Sequence, residues 1–244
     1  MNAYSLHRSL NYVTYRHLFM RALFPSVSHL SYVLLKRHFL PVSSLGNSKS
    51  LNILTAKSTV EDWINLCSFS PYVQRLDRQE KARKTYLGIQ FSDGSSLTLH
   101  LVHSLSYLGL TWIDVESVLQ QATINREGVK IADPHFYLEY TYLSAVLSRR
   151  PVDSEYVYYF CDRPAAFQTR LLRKFKQRYP VQATSLAELF ACTYQHRRRV
   201  MTMLESLPHN KWSLRFRHLA QHSWKRFKGI TWLQRATRFA TGIR

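Results

Sequence analysis

Residues 85–103 leave the chain little choice of fold. Residues 85–91 (TYLGIQF) and 96–103 (SLTLHLVH) flank the tetrapeptide Ser92-Asp93-Gly94-Ser95. In an extended chain successive side chains alternate between faces. Leu97, Leu99 and Leu101 therefore share one face, and Thr98, His100 and Val102 the other. An Asp-Gly turn between two such runs predicts an antiparallel hairpin. A lone hairpin is marginal in water, so this one needs further strands and an apolar layer over its leucine face.

Further strands come from residues 32–55 (YVLLKRHFLPVSSLGNSKSLNILT). The apolar run Tyr32 to Leu35 predicts a strand, and a loop with Pro41, Gly46 and Asn47 follows. Leu51 to Leu54 predicts a second strand, with residues 51 and 53 on one face and residues 50, 52 and 54 on the other. After it, Ser58 and Glu61 have the spacing of a capping box, which predicts a helix over 59–67. The polar segment 68–84 reads as a short strand and loop.

These two regions together resemble nucleotidyltransferase-fold domains, of the kind found alone or beside thymidylate-kinase-like domains in bacterial cell-surface polysaccharide clusters. The resemblance rests on Leu35-Lys36-Arg37-His38-Phe39-Leu40-Pro41, on Lys49 to Leu54, and on the hairpin, and it covers roughly residues 30–150. It implies a small mixed sheet and a Mg²⁺ site made of three aspartates, two of them two residues apart on one strand face. Such carboxylates hold the ion on the nucleotide phosphates. Here the three places are Ser50, Asn52 and His100. The resemblance therefore implies the fold, a vestigial site without catalytic residues, and a setting in surface-polysaccharide biosynthesis at the inner membrane face. It also puts Lys36 and Lys49 where they could hold a phosphate without metal. A loop lysine bathed in solvent is the plainer account of Lys49.

Beyond the hairpin the resemblance continues, and implies a Gly-containing strand leading to a short helix over residues 105–119 and a turn and strand over residues 126–129. Asp133 and Pro134 are a good N-cap and first residue for a helix to about Arg149. Asp114 and Glu116 could replace the lost acids, but a helix cap and a first-turn acid explain them more simply. Everything after Pro151 reads as helical. Helices are expected over 154–161, over 164–179, and from a capping box at Ser185 and Glu188 to about residue 206. Two more are expected over 212–228 and 230–240. At the other end, residues 3–24 show apolar positions at helical spacing. No acid precedes Glu61, which also suits an organelle transit peptide. Arg8, Arg16 and Arg21 break any apolar core of a secretory signal.

Charge divides the chain in the same way. Residues 1–162 hold 16 Lys and Arg against 13 Asp and Glu, a balance of +3. Residues 163–244 hold 18 against 2, a balance of +16. The reading is thus an α+β domain over 1–150 and a basic all-helical domain over 151–244. The basic half attracts polyanions. Arg197, Arg198, Arg199, Lys225, Arg226 and Lys228 are its candidate contacts, for an anionic membrane surface or for nucleic acid; a basic helical domain with an aromatic core is the plainer alternative.

Several chemistries lack their residues. There is no Gly-rich phosphate loop and no GxSxG. The three cysteines, Cys67, Cys161 and Cys192, are scattered. His100 and His103 point to opposite sides of a strand and cannot share an ion. No metal site is expected and no apolar run is long enough to span a bilayer. A cytoplasmic protein, inactive at the family site, that binds a nucleotide, a phosphate or an anionic surface is the expectation. The alternatives are an Mg²⁺-dependent transferase with carboxylates elsewhere, and a basic nucleic-acid-binding protein.

Overall fold

The computed structural model describes residues 14–107, 110–207 and 210. Its centre is a five-stranded mixed sheet built from β1 (Tyr32–Leu34), β2 (Ser50–Thr55), β3 (Val73–Lys81), β4 (Lys84–Phe91) and β5 (Ser96–Val102), in the order β1-β2-β5-β4-β3. The hairpin is β4–β5, antiparallel, with Gly94 at φ 80° supplying the turn. β2 and β5 run parallel, and a parallel pair needs a crossover. The crossover contains α3 (Val60–Ser68) and the β3–β4 hairpin.

The leucine face finds its cover. Leu51, Ile53, Leu87, Ile89, Phe91, Leu97, Leu99 and Leu101 pack with Phe19, Met20, Leu23 and Phe24 of α1 (Tyr15–Ser26) and with Val60, Trp63 and Cys67 of α3. Arg16 and His17 of α1 also grip the loop before β2. Arg16 donates to the Gly46 carbonyl, and His17 bonds Thr14 and Asn47 at 2.8 and 3.0 Å.

The opposite face is covered at one end only. There Leu54, Val33 and Leu35 meet a helical layer centred on α5 (Pro134–Ser148). Asp133 caps α5 by accepting from the His135 amide at 2.7 Å, Pro134 opens it, and Arg149 ends it in the left-handed region. Ten of its fifteen residues are buried, because neighbours surround it. These are the short hairpin of β6 (Leu105–Tyr107) and β7 (Leu110–Ile113), then α6 (Ser154–Cys161), α7 (Ala165–Arg178), α8 (Leu186–Ala191) and α9 (Thr193–Ser206). The helical layer is tied to the end of β1 and the residue after it by two phenols: Tyr137 donates to the Leu34 carbonyl and Tyr156 to that of Leu35, each at 2.8 Å. The fold is therefore α+β, with a five-stranded mixed sheet and helices toward its C-terminal side.

Several local expectations are corrected. The helix after β2 is not opened by Ser58; residues Lys57–Thr59 form a 3-10 turn, and Glu61 pairs with Arg78 of β3 at 2.7 Å. The segment expected as a short strand and loop is the nine-residue β3, held by pairing along one edge of β4. The loop before β2 contains a one-turn helix, α2 (Val42–Leu45). The helix expected from Ser185 to residue 206 breaks at Cys192. Ser185 does accept from the Glu188 amide, but the Glu188 carboxylate turns back to Thr184. The helix expected over 3–24 is described from Tyr15 and reaches Ser26. The helices expected over 212–228 and 230–240 lie outside the described residues.

Candidate functional site: a cationic cleft over the open sheet face

Parallel pairing of β2 and β5 sets Asn52 directly opposite His100. Their side chains hydrogen-bond, His100 Nδ1 to Asn52 Oδ1, at 3.0 Å. Ser50, two residues back, stands exposed on the same face, opposite Thr98. The three positions that the sequence singles out thus share one patch of sheet, just where the helical cover stops. His100 also meets the ring of Tyr86 edge-on, 4.9 Å away across the β4–β5 pair.

Two cavities open beside this patch. The larger, about 920 Å³, lies between the sheet and the helical layer. Asn52 and Val102 line it from the sheet, and Tyr107 and Trp112 from the β6–β7 hairpin. Tyr140, Thr141 and Ser144 of α5 form its far wall. Trp112 and Tyr140 stack nearly parallel, 6.0 Å between centroids. Four cations border it, Lys36, Arg83, Lys84 and Arg150, against the one carboxylate of Asp153. Arg83 and Lys84 come from the tip of the β3–β4 hairpin, where Arg83 donates to the Ser106 carbonyl. The smaller cavity, about 400 Å³, is lined by Lys36, Arg37, Ser48, Lys49, Ser50 and Asn52, and by Asp153, Glu155 and Tyr156 of the helical side.

The electrostatics follow from this arrangement. Burial first, then the charges of Lys84 and Lys36, hold the His100 imidazole below its ordinary value, so the ring is neutral at pH 7. Mg²⁺ demands hard, preferably charged oxygen ligands. The residues present do not fit it. Asn52 spends its oxygen on His100, Ser50 and His100 are uncharged, and lysines flank the pair. An anion, by contrast, is favoured by the cations around both cavities and opposed by Asp153 and by Glu155, which is itself paired with Arg37. Asp153 itself is engaged as the N-cap of α6. Asp114 likewise caps α4 (Val115–Gln120), accepting from the Glu116 amide at 3.2 Å. Among the described residues no group of three His, Cys, Asp or Glu is placed to hold a metal ion.

Of the phosphate-binding candidates, Lys36 lines both cavities and Lys49 the smaller one. Arg198 and Arg199 are exposed on α9, and Arg197 is half-buried there. Lys225, Arg226 and Lys228 lie outside the described residues. Arg37, Arg83, Lys84 and Arg150 were not among the sequence candidates. Residues 81–84 (KARK) carry a signal for two of them: three cations where a hairpin must turn. Cys67 is buried, its thiol pushed up to about 12 by that burial, and is chemically quiet.

No family model and no curated protein matches the chain. Among solved structures, the crystal structure of JHP933 from Helicobacter pylori is similar with a TM-score of 0.37 and 10% identity, over 83% of this chain and 96% of that one. A likeness of that order carries no function from one chain to the other.

Proposed function

We propose that the protein is a degenerate nucleotidyltransferase-type domain that binds a phosphate-bearing ligand, a nucleotide in the first instance, without Mg²⁺ and without turning it over. The single observation behind this reading is the site's charge. Asn52, hydrogen-bonded to His100, lines a cleft bordered by Lys36, Arg83, Lys84 and Arg150. In a transferase the metal neutralises the triphosphate and activates the attacking oxygen. Here lysine and arginine supply the first service, and no residue of the patch supplies the second. The resemblance of residues 30–150 to nucleotidyltransferase-fold domains suggests surface-polysaccharide biosynthesis as the setting, and that setting is part of the proposal.

Calorimetric titration of ATP, CTP, UTP and nucleotide-sugars, with and without Mg²⁺, tests this. Binding is expected without the ion, and Lys36→Ala should weaken it about tenfold, the worth of one charge-assisted hydrogen bond. Binding that requires Mg²⁺, or turnover of the triphosphate, would overturn the proposal in favour of an active enzyme with other carboxylates.

A second reading is carried by α7, which exposes Arg170, Arg173, Lys174, Lys176 and Arg178 and contains no acid. With Arg198 and Arg199 of α9 this makes a cationic surface for anionic lipid head groups. No helix among the described residues is long and apolar enough to cross a membrane, so attachment would be peripheral. Co-sedimentation with phosphatidylglycerol vesicles, lost at high salt and in Arg173→Ala/Lys174→Ala, is the expected result. Sedimentation unchanged by salt would count against it.

A further inference from the structure

The smaller cavity already holds an anion, and the chain supplies it. Arg37 Nε and Nη2 lie 3.1 Å from the two carboxylate oxygens of Glu155, and Nη1 lies 2.6 Å from Ser48 Oγ. This is the paired-fork geometry with which arginine takes carboxylates and phosphates alike. Arg37 is held for it at φ 60°, in the left-handed region that residues with a Cβ seldom occupy. Lys36, Lys49 and Ser50 line the same space. The pair is also within reach of solvent, its two side chains being 38% and 42% exposed.

We propose that this cavity is an oxyanion site in which Glu155 occupies the seat of a phosphate group, and that a phosphate dianion competes with Glu155 for Arg37. The carboxylate brings one negative charge and a phosphate group at neutral pH about one and a half to two, with at least three acceptor oxygens. Lys36 and Lys49 therefore favour the incoming group over the resident one. Glu155 stands in the first turn of α6, while Arg37 and Ser48 belong to the β1–β2 loop. Displacing Glu155 undoes the ionic tie between helical layer and loop and leaves the Tyr156–Leu35 hydrogen bond in place. Ligand binding and this latch are then mutually exclusive. The inference rests on the reading of this face as phosphate-binding, and adds to it a resident competitor.

Inorganic phosphate titrated into the full chain is the probe. Glu155→Gln keeps the side-chain size and removes the competing charge. It should bind phosphate about fivefold more tightly than the native protein, the worth of one partly exposed ion pair. Arg37→Lys in that background should abolish the gain. A second measurement needs no variant: at saturating phosphate the Glu155 side-chain carboxyl carbon of the native protein should shift in its NMR spectrum as it leaves Arg37. Equal affinity of native and Glu155→Gln proteins, or an unshifted Glu155 carboxyl at saturating phosphate, would overturn the proposal. If nucleotides still bind the native protein and lose affinity in Arg150→Ala, which lines only the larger cavity, the proposed function stands while this inference falls. No binding of any phosphate compound removes both.

Discussion

His38 makes a sharp test of how the sheet and helices are joined. It is 6% exposed and lies face to face on Tyr137, ring centroids 3.3 Å apart. Phe39, Tyr156 and Tyr159 close around it, and neither ring nitrogen finds a hydrogen-bond partner. Burial, and then the nearby charge of Arg163, pull its pKa from 6.5 down to about 3. Above pH 6.5 both folded and unfolded chains carry a neutral ring, and the group's contribution is fully present. As pH falls below that value the unfolded chain takes up a proton and the folded one does not, until about 3. Stability therefore drains away across that window. At pH 5 the loss from this one group is roughly 2 kcal/mol, and at pH 7 it is near zero. Urea unfolding of the native protein and of His38→Phe at both pH values measures it. Phe keeps the stacked ring, and any overpacking cost is the same at both pH values, so it cancels within the variant. Other histidines with lowered values, His100, His103, His135 and His196, are common to both proteins and cancel between them. The expected result is an acid loss about 2 kcal/mol smaller in the variant. Equal losses would mean that His38 protonates freely in the folded state, and the account of a sealed, partnerless imidazole would be refuted.

Three further outcomes are expected from the packing. Leu99→Ala, at the centre of the leucine face and 0% exposed, should cost about 2–5 kcal/mol in chemical denaturation, the range for emptying a buried leucine site; a cost below 1 kcal/mol would mean that the layer collapses to fill the gap. Gly46→Ala should destabilise by about 1–3 kcal/mol, because a Cβ there would meet the His17 ring, with Cγ only 2.8 Å away, and that ring is pinned by Thr14 and Asn47. Adding His17→Ala should recover part of that loss, and no recovery would place the strain elsewhere. Arg178→Ala should cost about 1–2 kcal/mol at neutral pH, since it strips the buried Glu139 carboxylate of hydrogen bonds at 2.9 and 3.0 Å while Arg178 itself is half in solvent. Burial already pushes the Glu139 pKa upward against the opposing charge of Arg178, so the cost should shrink as acid neutralises the carboxyl; an undiminished cost at low pH would assign it to packing.

The parts of the fold that were legible are those where one physical rule acts alone. Period-two alternation and an Asp-Gly turn settle β4–β5, and an Asp-Pro start settles α5. Rules that compete with tertiary contacts read less well. Ser58 and Glu61 have the spacing of a capping box, yet Glu61 pairs instead with Arg78 on the neighbouring strand. Residues 73–81 are mostly polar because β3 is an edge strand exposed along nearly its whole length, so no apolar period announces it. Cys192 interrupts a run of good helix formers because α8 and α9 each turn a separate apolar face inward; Leu186 and Leu189 on one and Val200 and Leu204 on the other are buried in the same cluster.

The candidate site divides along the same line. That Ser50 and Asn52 share a face with His100 follows from alternation within each strand. That Asn52 meets His100 side by side depends on a parallel register, which is set by the crossover and by the shared burial of Leu51, Ile53, Leu99 and Leu101. Arg37 could not be read at all. Its neighbours Leu35 and Lys36 suggest a strand running on into a loop, and nothing local announces a positive φ at an arginine. The conformation is held from outside: Ser48 fixes one nitrogen and Glu155, 118 residues away in sequence, fixes two more. A strained residue persists only where its surroundings over-determine it. The most specific feature of the site is therefore the one with the least local signature.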